Sequence, residues 1–360
     1  MQFHIDTDNG GVVAGWLIPD NPGDTPEFIV EIPGEKPVPF RANVLRPDIR
    51  DLGLHPTGQV GFMIDDRIID GLNERMLLTV FEAETNLPIY RRPLFDRNIG
   101  KKLLFIDIGV MPQIKMLRKL MRSFTLGYPM IERFSLETVV AIISNNYVSS
   151  LLVVGQPNWQ RINGVARERG FATVALLRNP FEELAERLLF LSYLSKRPST
   201  NAASSVFSRH MALASIVEAL DHSQDKALLS AFRRLSVEQR RLLRSPMTAA
   251  IACTPDEEPQ RRNVSIALDQ LAQFDLVGVR DHFHAFTSLA DEIIGTPVFA
   301  EVMLETLPGT GELAQKLSEI GIVADMLDED IALHAFTREA VEAAMGLTES
   351  QRTTLSGGSS

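Results

Sequence analysis

Over the first ninety positions, apolar residues come in short runs that alternate with polar ones, and turn-forming residues cut the runs apart. The spacing predicts strands over 12–18, 28–32, 38–43, 58–64 and 76–82. Pro- and Gly-containing stretches at 19–24 and 33–35 break them. Arg46-Pro47-Asp48 opens, and Gly53 closes, what reads as one helical turn over 47–54. Several short strands at such intervals predict a small all-β sandwich.

After Gly100 the pattern changes. Apolar runs of buried type at 103–108, 151–154 and 173–177 alternate with stretches of helical period at 114–124, 134–147, 159–169 and 181–194. Strands alternating with helices imply an α/β fold with a parallel sheet covered on both faces. The remainder reads as mostly helical, over 202–220, 226–235, 237–243 and 328–346, with one more strand at 276–279 expected to join the sheet. The last helix opens Asp328-Glu329-Asp330, which suits the positive end of a helix dipole. The pattern divides the chain into a β-sandwich domain over 1–97, an α/β domain over 101–346 and a flexible tail over 347–360.

Composition narrows the classes. A chain of 360 residues, 45% of them apolar, can bury two cores. The single cysteine, Cys253, excludes an intramolecular disulfide and fits a reducing compartment. Residues 1–10 are polar and carry Asp6 and Asp8 where a secretory signal needs a basic run and then an apolar one. The apolar runs fall far short of the roughly 20 residues that span a bilayer. A cytoplasmic protein without a transmembrane segment is expected. The net charge of −10, from 36 basic and 46 acidic residues, argues against a nucleic-acid partner. Arg233, Arg234, Arg240, Arg241 and Arg244 read as a solvated helix face.

Candidate chemistry is sparse. No dinucleotide fingerprint, Walker lysine motif, nucleophile elbow or zinc-protease helix occurs. His282 and His284 flank Phe283 beyond the 276–279 strand, but a His-x-His pair without a third ligand predicts no metal site. His210 and His222 fall on helical segments, and Cys253 is expected to pack as a small apolar residue.

Three stretches of the first domain, Gly15-Trp16-Leu17, Ala42-Asn43-Val44-Leu45-Arg46-Pro47-Asp48 and Thr57-Gly58-Gln59-Val60-Gly61-Phe62, resemble the small sandwich domain found beside bacterial glycan-modifying enzymes. That resemblance implies Trp16 and Phe62 as core aromatics, Gly58 and Gly61 as backbone turns, and Arg46 with Asp48 as a local polar clasp. In the larger domain four features appear in order. They are the strand Leu103-Leu104-Phe105-Ile106-Asp107 leading into a helix, the run Thr173 to Pro180 with a Glu- and Arg-containing helix behind it, Ser245-Pro246-Met247-Thr248, and Phe274 to Phe283 with the closing helix at Leu327-Asp328-Glu329-Asp330. Together they resemble the carbohydrate branch of the sulfotransferase family.

The resemblance implies a P-loop-like parallel sheet, 3′-phosphoadenosine 5′-phosphosulfate as donor, no metal, a glycan or polysaccharide acceptor and a role in bacterial surface-polysaccharide metabolism. The family's first strand ends in P-K-T-x-G-T, which wraps and neutralises a phosphate. Here the stretch is Gly109 to Lys115, with Val110 in the lysine's place and Lys115 as a displaced cation. Arg178-Asn179-Pro180 matches the Arg-x-Pro element that binds the 3′-phosphate, and Ser192 is the nearest match to the serine one helix later. The residues themselves leave Arg178 two roles, a bidentate phosphate ligand or an ion pair to Glu182 or Glu183. Gln156 stands where family members carry a base, and a neutral amide accepts no proton, so no catalytic residue is identified. Two functions follow: a sulfotransferase-like enzyme moving sulfate to a sugar hydroxyl, or an inactive scaffold that binds a glycan or a protein partner. A transferase using another activated donor is the third.

Overall fold

The computed structural model describes residues 1–94, 98–196, 211–213, 216–217, 225–300 and 302–346. The tail over 347–360, the end of the first domain at residue 97, most of the helix expected over 202–220, and His210 and His222 lie outside the described residues. The chain divides into two compact units. One gathers Met1–Leu104, Lys119–Val153 and Gly164–Phe171; the other gathers Phe105–Arg118, Val154–Asn163 and Ala172–Ser360.

The first stretch forms β1 (Gln2–Asp8), β2 (Val13–Ile18), β3 (Glu27–Glu31), β4 (Val38–Arg41), α1 (Pro47–Asp51), β5 (Gly61–Ile64), β6 (Thr79–Glu82) and β7 (Leu87–Arg91). These strands build two antiparallel sheets, ordered β1-β2-β5 and β4-β3-β6-β7. In β1, Phe3 and Ile5 are buried while Gln2, His4 and Asp6 are exposed, so the strand carries the period of two that half-burial requires. Phe62 of β5 and Phe28 of β3 bring the inner faces together, with ring centroids 4.8 Å apart.

Around Trp16 the expectation is met in part. Phe62 is a core aromatic and Gly58 turns the chain with φ +74°, but Gly61 opens strand β5 rather than a turn, and a Cβ there would stand 2.8 Å from the Val44 carbonyl oxygen. The clasp forms as expected: Arg46 donates from Nε and Nη2 to Asp48 at 3.0 and 2.8 Å, and from Nη1 to Asp6 at 2.9 Å. Trp16 is a correction. It is only partly buried, resting on Ile18, Ile49 and Val60 with the Arg46 guanidinium 5.9 Å over its ring, because its position on β2 faces the clasp.

A buried polar node closes this unit. Arg92 donates from Nε and Nη2 to the Asp8 carboxylate at 2.7 and 3.0 Å. Its remaining hydrogens reach the carbonyls of Leu72, Arg75 and Gly10. Tyr90 Oη donates to Asp8 at 2.6 Å, and the Tyr147 hydroxyl bonds the Asp8 backbone. One guanidinium thus donates to three backbone carbonyls as well as to the carboxylate.

Beyond residue 98 follow β8 (Lys102–Asp107), α2 (Ile114–Ser123), β9 (Leu126–Tyr128), α3 (Leu136–Ser144), β10 (Leu151–Gly155), α4 (Trp159–Glu168), β11 (Phe171–Leu177) and α5 (Pro180–Ser195). Then come α6 (Asp225–Arg233), α7 (Val237–Leu243), α8 (Pro246–Ala252), α9 (Arg261–Leu271), β12 (Leu276–Val279), α10 (Phe283–Ile294), α11 (Thr310–Ser318), α12 (Gly321–Met326) and α13 (Asp328–Ala344). Five strands form a parallel sheet flanked by helices, in the order β12-β11-β8-β10-β9. The expected strand at 276–279 joins it as an edge, pinned where Asp275 accepts from both the backbone and the hydroxyl of Thr173. Phe105, Phe286 and Phe299 pack edge to face over the sheet, and Phe286 lies so close to Gly278 that a Cβ there would stand 2.5 Å from its ring. No helix among the described residues is long and apolar enough to cross a membrane.

Burial raises the Asp8 carboxyl, but its hydrogen bonds from Arg92, Tyr90 and Gly10 and the Arg92 charge outweigh that, leaving it below the ordinary 3.8. A lowered carboxyl contributes stability above its unfolded value and loses it as the pH falls through the folded one. Arg92→Ala is therefore expected to cost about 3 kcal/mol in urea unfolding at pH 7. Asp8→Asn should flatten the acid limb of the stability profile below pH 3.8.

Candidate functional site

The sheet order puts β8, the first of its five strands in the chain, at the centre. From β8 the chain fills one side with β9 and β10 and then crosses to the other with β11 and β12, so the connections diverge at the carboxyl end of β8. In open α/β sheets ligands bind at such a switch point. Asp107 ends β8, Gln156 follows β10, Arg178 follows β11 and Arg280 follows β12.

The loop from β8 into α2 is held by amides. Asp107 Oδ1 accepts from the Gly109 N–H at 3.3 Å, and Gln156 Nε2 donates to the carbonyls of Ile108 and Gly109 at 2.6 and 3.4 Å. Gln113, fully buried, exchanges two hydrogen bonds with the backbone of Glu305, at 3.1 and 2.7 Å. Lys115 does not turn back toward this loop. Its side chain is 80% exposed and its Nζ meets Glu305 Oε1 at 3.0 Å.

Arg178 sits at the end of β11, where Asn179 caps α5 by accepting from the N–H groups of Phe181 and Glu182 and Pro180 starts the helix. This short junction aims the first turns of α5 back over the strand end. Arg178 is buried, and its two terminal nitrogens both bond the Glu186 carboxylate, Nη2 at 3.0 Å. The expected partners divide differently: Glu182 lies 3.8 Å from Arg178 Nε, and Glu183 pairs with Arg187 at 2.9 Å. Arg280 is a second buried guanidinium, 3.7 Å from the same Glu186. Burial and the Arg178 charge lower its pKa, and Asp107, Glu186 and Glu182 oppose the fall. Glu182 is raised, by burial first and then by Asp281 and Glu186 against the two arginines. Arg178 Nε and Arg280 Nη1 are buried donors with no hydrogen-bond partner.

Ser192 lies elsewhere. Six residues beyond Glu186, it sits roughly 9 Å further along α5 and about 120° around it, so the extra helical turn does not restore the face. It is buried, and its carbonyl accepts from Ser195 Oγ at 3.0 Å. Arg178, Lys115 and Ser192 are thus not brought together on a common ligand. These residues do not fit 3′-phosphoadenosine 5′-phosphosulfate: the arginine fork holds a carboxylate, the lysine is on the surface, and the serine is on another face.

Two of the sequence motifs meet in a second polar centre. Ser245, with φ +39°, donates from Oγ to Glu329 at 2.9 Å, and Arg244 adds a contact to the same carboxylate at 3.2 Å. The N–H groups of Met247 and Thr248 donate to Asp330 at 3.0 and 2.7 Å, so α13 supplies the cap that α8 lacks. Complete burial, with Glu183 nearby, pushes Asp330 up to about 7 despite those bonds. Cys253 is buried and its thiol is pushed up to about 11, first by burial and then by Glu257, Asp330 and Glu329, which suits packing rather than nucleophilic attack. His282 meets Glu342 at 3.3 Å while His284 is exposed, and no group of three or more metal-ligating side chains gathers among the described residues.

Arg280 and Glu186 were missed by sequence reasoning. Arg280 follows its strand just as Arg178 does, and that repetition was the available signal. Glu186 had none, since no local spacing rule links a strand end to the second turn of the next helix.

Glu186→Leu leaves two guanidinium groups buried without their anion and is expected to cost about 3 kcal/mol or more in chemical denaturation. Asp330 carries the opposite sign from Asp8. Because its folded value lies above 3.8, the native state holds a proton that the unfolded chain has released, so stability falls as pH rises from 3.8 to about 7. Asp330→Asn should remove that slope.

No family model matches the chain, and no curated protein matches it.

Proposed function

We propose that this chain is a non-catalytic relative of the carbohydrate sulfotransferases, a cytoplasmic binding module of bacterial surface-polysaccharide metabolism that engages a glycan or a protein partner and transfers no group. One observation carries the reading: the Glu186 carboxylate lies bidentate on Arg178, in the fork that would otherwise grip a phosphate. A carboxylate and a phosphate compete for the same planar pair of donors, so the protein supplies its own anion. The first-strand loop agrees with this. Its backbone is tied by Gln156, its Gln113 side chain is tied to the Glu305 backbone, and it presents no lysine to neutralise transferred charge.

The enzyme reading is favoured by a different observation. Two buried guanidinium nitrogens, Arg178 Nε and Arg280 Nη1, make no hydrogen bond and have carboxylates only at 3.8 and 3.7 Å, at the carboxyl ends of strands where α/β proteins bind ligands. Calorimetric titration with 3′-phosphoadenosine 5′-phosphate separates the two. The binding-module reading expects no heat of binding at millimolar nucleotide for the native chain. It also expects Glu186→Gln, which removes the internal anion and keeps its shape, to bind the nucleotide more tightly than the native chain does. A micromolar Kd in the native chain, abolished by Arg178→Ala, would overturn the reading in favour of a working transferase.

A further inference from the structure

β12 is the outermost strand of the parallel sheet, and α9, α10 and α13 stand around it. Between them lies an apolar pocket of about 490 Å³, walled by Leu271, Val277, Phe286, Leu289, Phe336 and Val341 among others. Its volume falls among small-molecule sites, which run from roughly 300 to 1,000 Å³, and its concave form differs from the flatter surfaces that proteins present to one another.

The lining decides the class of ligand. No carboxylate, ammonium or guanidinium faces the pocket, and its one titratable side chain, His282, is already held by Glu342 at 3.3 Å. Glu342 in turn lies 3.9 Å from Arg338. A charged head group would therefore find no counter-ion inside, whereas an uncharged chain needs none and meets one buried hydroxyl without a hydrogen-bond partner, Thr337 Oγ1. Leu289, Phe336 and Met345 remain 45%, 54% and 39% exposed, so the recess is open to solvent along α10 and α13. Its wall on α13 runs from Phe336 to Met345, about 14 Å at the helical rise. That length accommodates a saturated chain of roughly ten carbons at ordinary C–C bond lengths.

We infer that this recess binds the aliphatic tail of an uncharged single-chain lipid. The inference is independent of whether the sheet edge binds nucleotide. The probe is N-phenyl-1-naphthylamine, a neutral dye that brightens in apolar surroundings, titrated against the full chain and displaced by 1-alkanols. Saturable binding at one dye per chain is expected. Affinity should rise about fourfold for each methylene from hexanol upward and level off near decanol, where the slot ends. Ala340→Trp fills the recess from an exposed helical position that lines it, and is expected to abolish dye binding. Ala343→Trp, exposed on the same helix outside the recess, should leave binding intact. Absence of saturable binding, or equal binding in Ala340→Trp, would overturn the inference. So would a dimer of the native chain in sedimentation velocity that Ala340→Trp disperses, since the face would then belong to a second copy.

Discussion

A guanidinium group buried at the end of a strand must be neutralised from within the protein or by a bound anion, and the charge of Arg178 is answered by Glu186. Much of the second unit is arranged around that requirement. Asn179 and Pro180 set the start of α5 so that its second turn lies over the strand end, and Arg280 from the neighbouring strand is drawn toward the same carboxylate. Glu183, released from Arg178, pairs with Arg187 one turn on. α5 therefore carries two acidic residues that look equivalent in the sequence and serve different arginines.

Buried ion pairs seldom add net stability over an apolar core, because desolvation offsets the attraction. What they add is position. Glu186 accepts from both terminal nitrogens of Arg178, which fixes the rotation of α5 relative to β11. The Asp8 and Arg92 pair does the same in the first unit, where the guanidinium reaches three carbonyls as well as the carboxylate.

The regular elements were largely legible because their periods are strong. β12 and α7 have the bounds that the apolar pattern predicts, and β8, β10 and β11 differ from expectation by one or two residues. The strands that escaped notice share a cause. β1 alternates, but Asp6 and Asp8 suggested a polar lead; β7 contains Pro88; and β9, at Leu126–Tyr128, is too short to show a period. Local motifs were visible without their partners. Ser245-Pro246-Met247-Thr248 and Asp328-Glu329-Asp330 stood out separately, yet only the tertiary fold shows that the second caps the helix opened by the first. The candidate site was least legible of all, since Arg178 was found by position while the residue that defines its role lies two helical turns away.

The place of β8 has a consequence for synthesis of the chain. Its residues Leu103–Ile106 are almost wholly buried in the finished sheet, yet β8 is made first and its neighbours β10 and β11 begin only at Leu151 and Phe171. At the ribosome's pace of roughly 5–20 residues per second, this sticky segment waits for some seconds before a native partner emerges. Lys101 and Lys102 on one side and Asp107 on the other bound the apolar run during that interval, charged flanks of the kind that limit the aggregation of unavoidable apolar strands.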